Sequence, residues 1–140
     1  MRYTTLLILL LTSLAATADS PRVADPWIRA MPPGQPNSAA YLELYNDSSQ
    51  TLRLVGGRSN RFRAVEIHES SQVNGNWRMR RLEELVVDPG DRATLKPGAA
   101  HLMLFGVTSP LVVGEIIPLQ LQFDDGSALA VEAEVRRQAP

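Results

Sequence analysis

Along most of this 140-residue chain the hydrophobic pattern repeats every second residue. Tyr41-Leu42-Glu43-Leu44-Tyr45, Thr51-Leu52-Arg53-Leu54-Val55, Pro118 to Phe123 and Ala130 to Val135 each place apolar residues on alternate positions. Only an extended strand sends such positions to one face. Between these segments lie Asn46-Asp47-Ser48, Asn74-Gly75, Asp88-Pro89-Gly90, Lys96-Pro97-Gly98 and Asp125-Gly126, which are turn sequences suited to hairpins and sharp reversals. No stretch sustains a helical period, and the ten prolines and nine glycines are scattered as punctuation. This spacing predicts an all-β fold, an antiparallel sandwich or small Greek-key barrel of seven or eight strands. The first strand is expected around Trp27 to Ala30. Pro32-Pro33-Gly34-Gln35-Pro36-Asn37 is the loop expected to join it to the next.

The first eighteen residues follow a different rule. Arg2 supplies a positive start, Leu6 to Leu11 an apolar run, and Ala16-Thr17-Ala18 a small-residue cleavage pattern, together reading as an export signal. The apolar run is about half the ~20 residues that a spanning helix needs. The expectation is a signal peptide over residues 1–18 and one soluble domain over 19–140, exported to the periplasm. That length is enough to bury a single core without disulfides, and the chain has no cysteine. Loss of Arg2 leaves 13 basic against 15 acidic side chains, a net charge of −2. Nothing in that balance recommends nucleic acid or an anionic membrane as a partner.

Within this frame four residues form a chemical set. His68, Met79, His101 and Met103 are soft or borderline metal donors, and they include both histidines of the chain. Thioether sulfur and imidazole nitrogen suit Cu(I), whereas calcium, magnesium and manganese prefer oxygen. Methionine also avoids the disulfide chemistry that would trap a thiol in an oxidising compartment. A two-residue type I′ turn at Asn74-Gly75 would place Val73 opposite Asn76. It would then set Ile67 opposite Leu82, His68 opposite Arg81, Glu69 opposite Arg80, Ser70 opposite Met79 and Glu66 opposite Glu83. In that register His68 and Met79 are diagonal neighbours on one face, roughly 7–8 Å apart between Cα atoms. His101 and Met103, at i and i+2, share a face on any strand, with Leu102 and Leu104 turned to the core. Whether the two pairs meet depends on a strand adjacency that the pattern does not give. Taken singly, Met103 also reads as a core filler, Met79 as a lone apolar residue on a hairpin, and each histidine as an ordinary surface or hydrogen-bonded one. Met31 reads as a loop residue. Trp77 shares the ligand face and reads first as hydrophobic cover for the hairpin, while Arg78, Arg80 and Arg81 read as a solvated basic surface.

The pattern His68-x10-Met79-x21-His101-x-Met103 resembles the signature of the periplasmic copper chaperones called PCuAC. The resemblance extends to Trp27-Ile28-Arg29-Ala30 with the following Pro-Pro-Gly, Ala39-Ala40-Tyr41, Val65-Glu66-Ile67-His68, Leu95-Lys96-Pro97-Gly98 and His101-Leu102-Met103-Leu104. It implies a cupredoxin-like barrel, Cu(I) held by the two histidines and two methionines, and delivery of copper toward the CuA centre of cytochrome c oxidase. The implied partner is the oxidase subunit carrying CuA or another copper-assembly protein, met by a monomeric carrier that is not an enzyme. Glu69 stands where many relatives carry methionine, and the methionine- and histidine-rich tail of many relatives is missing from Arg136-Arg137-Gln138-Ala139-Pro140. The rival reading is a periplasmic protein that sequesters copper in the same site. Lack of cysteine excludes a cysteine-based reductase and a blue-copper electron carrier, whose thiolate ligand has no candidate here.

Overall fold

The computed structural model describes residues 20–137, so the predicted signal peptide over residues 1–18 lies outside the described residues. Among the described residues ten strands run in chain order: β1 (Arg22–Arg29), β2 (Ser38–Tyr45), β3 (Leu52–Arg58), β4 (Phe62–Val73), β5 (Asn76–Arg81), β6 (Leu85–Val87), β7 (Arg92–Leu95), β8 (Ala100–Val107), β9 (Ile116–Phe123) and β10 (Ala128–Arg136). Seven of them close into a barrel in the order β4-β8-β2-β1-β10-β9-β3, with β3 returning to β4. That ring is a seven-stranded barrel, in keeping with the expected sandwich or small barrel of seven or eight strands. The remaining three, β5, β6 and β7, continue edges where the long strands splay apart. β5, for example, pairs with the second half of β4 after β3 has left it.

All pairings are antiparallel except one. β1 runs parallel to β10, with Trp27 opposite Glu134 and Ile28 opposite Val135. β1 begins earlier than the sequence suggests, because the Asp25-Pro26 interruption is absorbed as a bulge: Asp25 takes φ 45° and the register with β2 shifts between Ala24 and Trp27. Closure of the barrel depends on Gly57, which pairs with Val65. A Cβ there would lie 2.9 Å from both Val65 Cγ1 and the Gln120 carbonyl oxygen, so the three strands β4, β3 and β9 could not approach as they do.

The core fills from the inward-facing positions of every barrel strand. Ile28, Leu44, Leu54, Ile67, Leu104 and Ile117 are fully buried, each such side chain contributing about 1.5–3 kcal/mol by leaving water. A second, smaller apolar cluster of Trp27, Ala39 and Tyr41 lies on the other face of β1 and β2. It is this outer cluster that the candidate site borders.

Candidate metal centre

β4 and β8 pair with Ile67 opposite Leu102, His68 opposite His101 and Glu66 opposite Met103. Ile67, Leu102 and Leu104 enter the core, so alternation turns His68, His101 and Met103 to the outer face. Asn74 and Gly75 have φ of 50° and 79°, the left-handed pair that a type I′ turn requires. The hairpin therefore has the register expected of it, with Ser70 opposite Met79 and His68 opposite Arg81. The Leu82 amide donates to the Ile67 carbonyl at 2.9 Å and the ladder ends there. Glu66 is consequently not opposite Glu83, as a continued hairpin would have it; β5 stops at Arg81, and Glu66 faces Met103 and the Arg81 guanidinium 3.8 Å away. Like charges are thereby kept apart. The strand order β5-β4-β8 brings all four predicted donors to one face of three neighbouring strands.

Each donor has a distinct setting. His101 is 4% exposed, and its Nδ1–H donates to the Ala99 carbonyl at 3.0 Å. That hydrogen bond fixes the tautomer and leaves Nε2 with a free lone pair, the arrangement that metal-binding imidazoles use. Burial lowers the His101 pKa below 6.5; the Ala99 carbonyl opposes this, and the nearby His68 and Arg29 add to it. His68 is held differently: its Nε2 lies 2.9 Å from Glu66 Oε2, and its ring centroid is 6.2 Å from that of His101 and 5.7 Å from that of Phe105. Met103 is half-buried beside Ala39 of β2. Met79 is 55% exposed, the most open of the four.

A cavity of about 180 Å³ opens on this face, lined by Met79, His101 and Met103 together with Arg29, Tyr41 and Met31. His68 stands beside that lining, turned to Glu66. Tyr41 stacks 4.5 Å from Trp27 and lies 6.3 Å from the His101 ring, so the outer aromatic cluster forms the dry wall of the cavity. Trp77, two residues from Met79 on the same face, is 64% exposed and rests against Gly98. Met31, which by its sequence reads first as a loop residue and only secondarily as a neighbour of the site, lines this cavity and also a second one formed by loop residues 32–36 against residues 107–111. Its one legible signal was a methionine directly beside the proline run that leaves β1. Among the described residues no group of three or more histidines and carboxylates is gathered as a metal site, so a metal here would have to draw on thioethers. Such a neutral, soft set favours Cu(I).

The model of the LpqE-like family, named for a lipoprotein, matches residues 22–135. The chain belongs to the LpqE-like family. A relative from Leifsonia xyli subsp. xyli, bearing the name lipoprotein Lxx21020, is 32% identical over 120 residues, which cover 85% of this chain and 71% of the relative. Among solved structures, the copper-bound PCuAC domain from PmoF2 superposes with a TM-score of 0.70 at 24% identity, over 84% of this chain and 93% of that domain. The Cu(I) form of DR1885 from Deinococcus radiodurans gives 0.65 at 27% identity, over 90% of this chain and 83% of the other. This LpqE-like chain thus has the PCuAC-type, cupredoxin-like β fold that its sequence resembles.

Proposed function

We propose that this protein is a periplasmic copper chaperone that holds one Cu(I) through His68, Met79, His101 and Met103 and delivers it toward the CuA centre of cytochrome c oxidase. The observation that supports the reading is that two imidazoles and two thioethers share one outer face of three neighbouring strands, with the Nε2 of His101 free to bind. The copper-bound PCuAC domain and the Cu(I) form of DR1885 add support from the same fold. Imidazole and thioether both bind a metal as neutral ligands, so each can leave the ion without separating charge, as a carrier requires.

The donors also differ in exposure, which gives transfer a direction. Met79 stands open on β5 while His101 is buried. An incoming donor atom of the acceptor replaces the Met79 thioether first and His101 last, and no bond other than metal to ligand is made or broken. That gradient favours a carrier over a store, and a monomer that must dock through this face over a closed assembly. The protein is then a binding protein and not an enzyme, working free in the periplasm.

The test is a titration with Cu(I) under reducing conditions against a competing chelator, with X-ray absorption on the loaded protein. One copper per chain with sulfur and nitrogen neighbours is expected, and Met79→Leu and Met103→Leu should each weaken binding by roughly tenfold or more, about 1.4 kcal/mol. Unchanged affinity and unchanged sulfur scattering in both variants would refute the site. A deletion strain separates delivery from sequestration: loss of oxidase activity restored by added copper supports delivery, and copper sensitivity with normal oxidase supports sequestration.

A further inference from the structure

The cavity wall contains four soft or borderline donors, but they are not the four of the sequence pattern. Met79, Met103 and His101 line it; the fourth is Met31, while His68 lies outside with Nε2 on Glu66. Met31 is not there by the drift of a free loop. The Ala30 amide donates to the Arg136 carbonyl at 2.7 Å and the Ser38 hydroxyl donates to the Arg29 carbonyl at 2.6 Å, pinning the chain on one side of it. On the other side Pro32 and Pro33 fix their own φ. The Gly106 and Val107 amides donate to Asn37 Oδ1 and the Pro36 carbonyl, at 3.1 and 2.8 Å, holding the far end of the loop to β8. Pro32 to Pro36 are exposed, whereas Met31 is half-buried against the cavity.

Resting on the copper reading above, we propose that Met31 is a further copper ligand of this site, exchanging with His68 for the fourth position. The cavity set of three thioethers and the His101 imidazole accepts the ion while Glu66 still holds His68. Release of His68 from Glu66 then yields the two-histidine set. A thioether is long, flexible and polarizable enough to follow the ion through that exchange.

The experiment uses protein labelled with 13C at the methionine methyls and titrated with Cu(I) under a reductant, alongside chelator competition for wild type, Met31→Leu, His68→Ala and the double variant. Met31→Leu assigns the Met31 signal, keeps the apolar contact and should leave the thermal unfolding of the metal-free protein unchanged. The Met31 methyl should move on binding together with those of Met79 and Met103. Met31→Leu should weaken binding roughly three- to tenfold, and in the His68→Ala background the same change should cost clearly more, because the two donors substitute for each other. Sulfur scattering should fall by one sulfur per copper when Met31 is replaced in that background. The inference is overturned if the Met79 and Met103 methyls move while Met31 is silent and Met31→Leu binds as wild type in both backgrounds. If no methyl moves, the copper reading itself has failed and this inference falls with it.

Discussion

His101 has given up more water than any other donor, and its one compensation is the Ala99 carbonyl at Nδ1. Protonating Nε2 would put a charge in a nearly dry site beside Arg29, which is why its pKa falls below the ordinary 6.5. A group with a depressed folded pKa stabilises fully above its unfolded value, and that contribution is lost as pH falls through the folded one. Urea unfolding of the metal-free protein should therefore show stability dropping as pH falls below the ordinary imidazole value of about 6.5, and His101→Gln should flatten that drop. An identical pH profile in the variant would show that the ring is not the group responsible. At the far end of β2, Asn46 shows the opposite use of burial, for architecture. Its Nδ2 donates to the Gln50 and Val87 carbonyls at 2.7 and 2.8 Å, and its Oδ1 accepts from the Ser48 amide and hydroxyl. Asn46→Leu strands both carbonyls, and a loss of about 2–4 kcal/mol in chemical denaturation is expected.

Among the elements, the β4–β5 hairpin was the most legible, because Asn74-Gly75 admits one turn geometry and a slip of one residue would have turned every side chain over. The neighbouring Lys96-Pro97-Gly98-Ala99 turn is as sharply specified: the Ala99 amide donates to the Lys96 carbonyl at 3.1 Å, and Gly98 takes φ 80°. It does more than reverse the chain, since a Cβ on Gly98 would lie 3.4 Å from the Trp77 indole. Gly98→Ala should destabilise by about 1–2 kcal/mol through the left-handed backbone. The added methyl would meet the Trp77 ring at ordinary van der Waals distance, so the loss should appear in chemical denaturation with little change in tryptophan emission; an unchanged midpoint would show that the turn tolerates a side chain here. Other elements had no such signature. β6 and β7 span three and four residues, too few to show alternation, and Pro26 hid the start of β1 behind a bulge. The pairing of His68 with His101 was invisible for another reason, since period and turn type fix which face a residue takes and never which strand lies beside it. Met31 escaped because a loop has no period at all.

Across the whole molecule the candidate site joins parts of unequal stability. β8 lies inside the barrel wall between β4 and β2, whereas β5 is exposed along its entire length and, among the described residues, pairs with β4 alone. Strands of that kind open locally at far lower free energy than the core. Copper bound by Met79 of β5 and by His101 and Met103 of β8 would tie the loose edge to the rigid wall across the intervening β4. Opening β5 would then require breaking a metal–sulfur bond, so amide exchange along Asn76–Arg81 should slow by about tenfold or more at saturating Cu(I), as mass action requires when an opening must first release ligand. Amides of β8 should also slow, through His101 and Met103. Met79→Leu separates the two effects: protection of β5 should vanish while that of β8 persists. If β5 exchanges at the same rate with and without Cu(I) while β8 slows, the thioether on the open hairpin is not bound to the ion, and the exposed first step of transfer has no ligand to carry it.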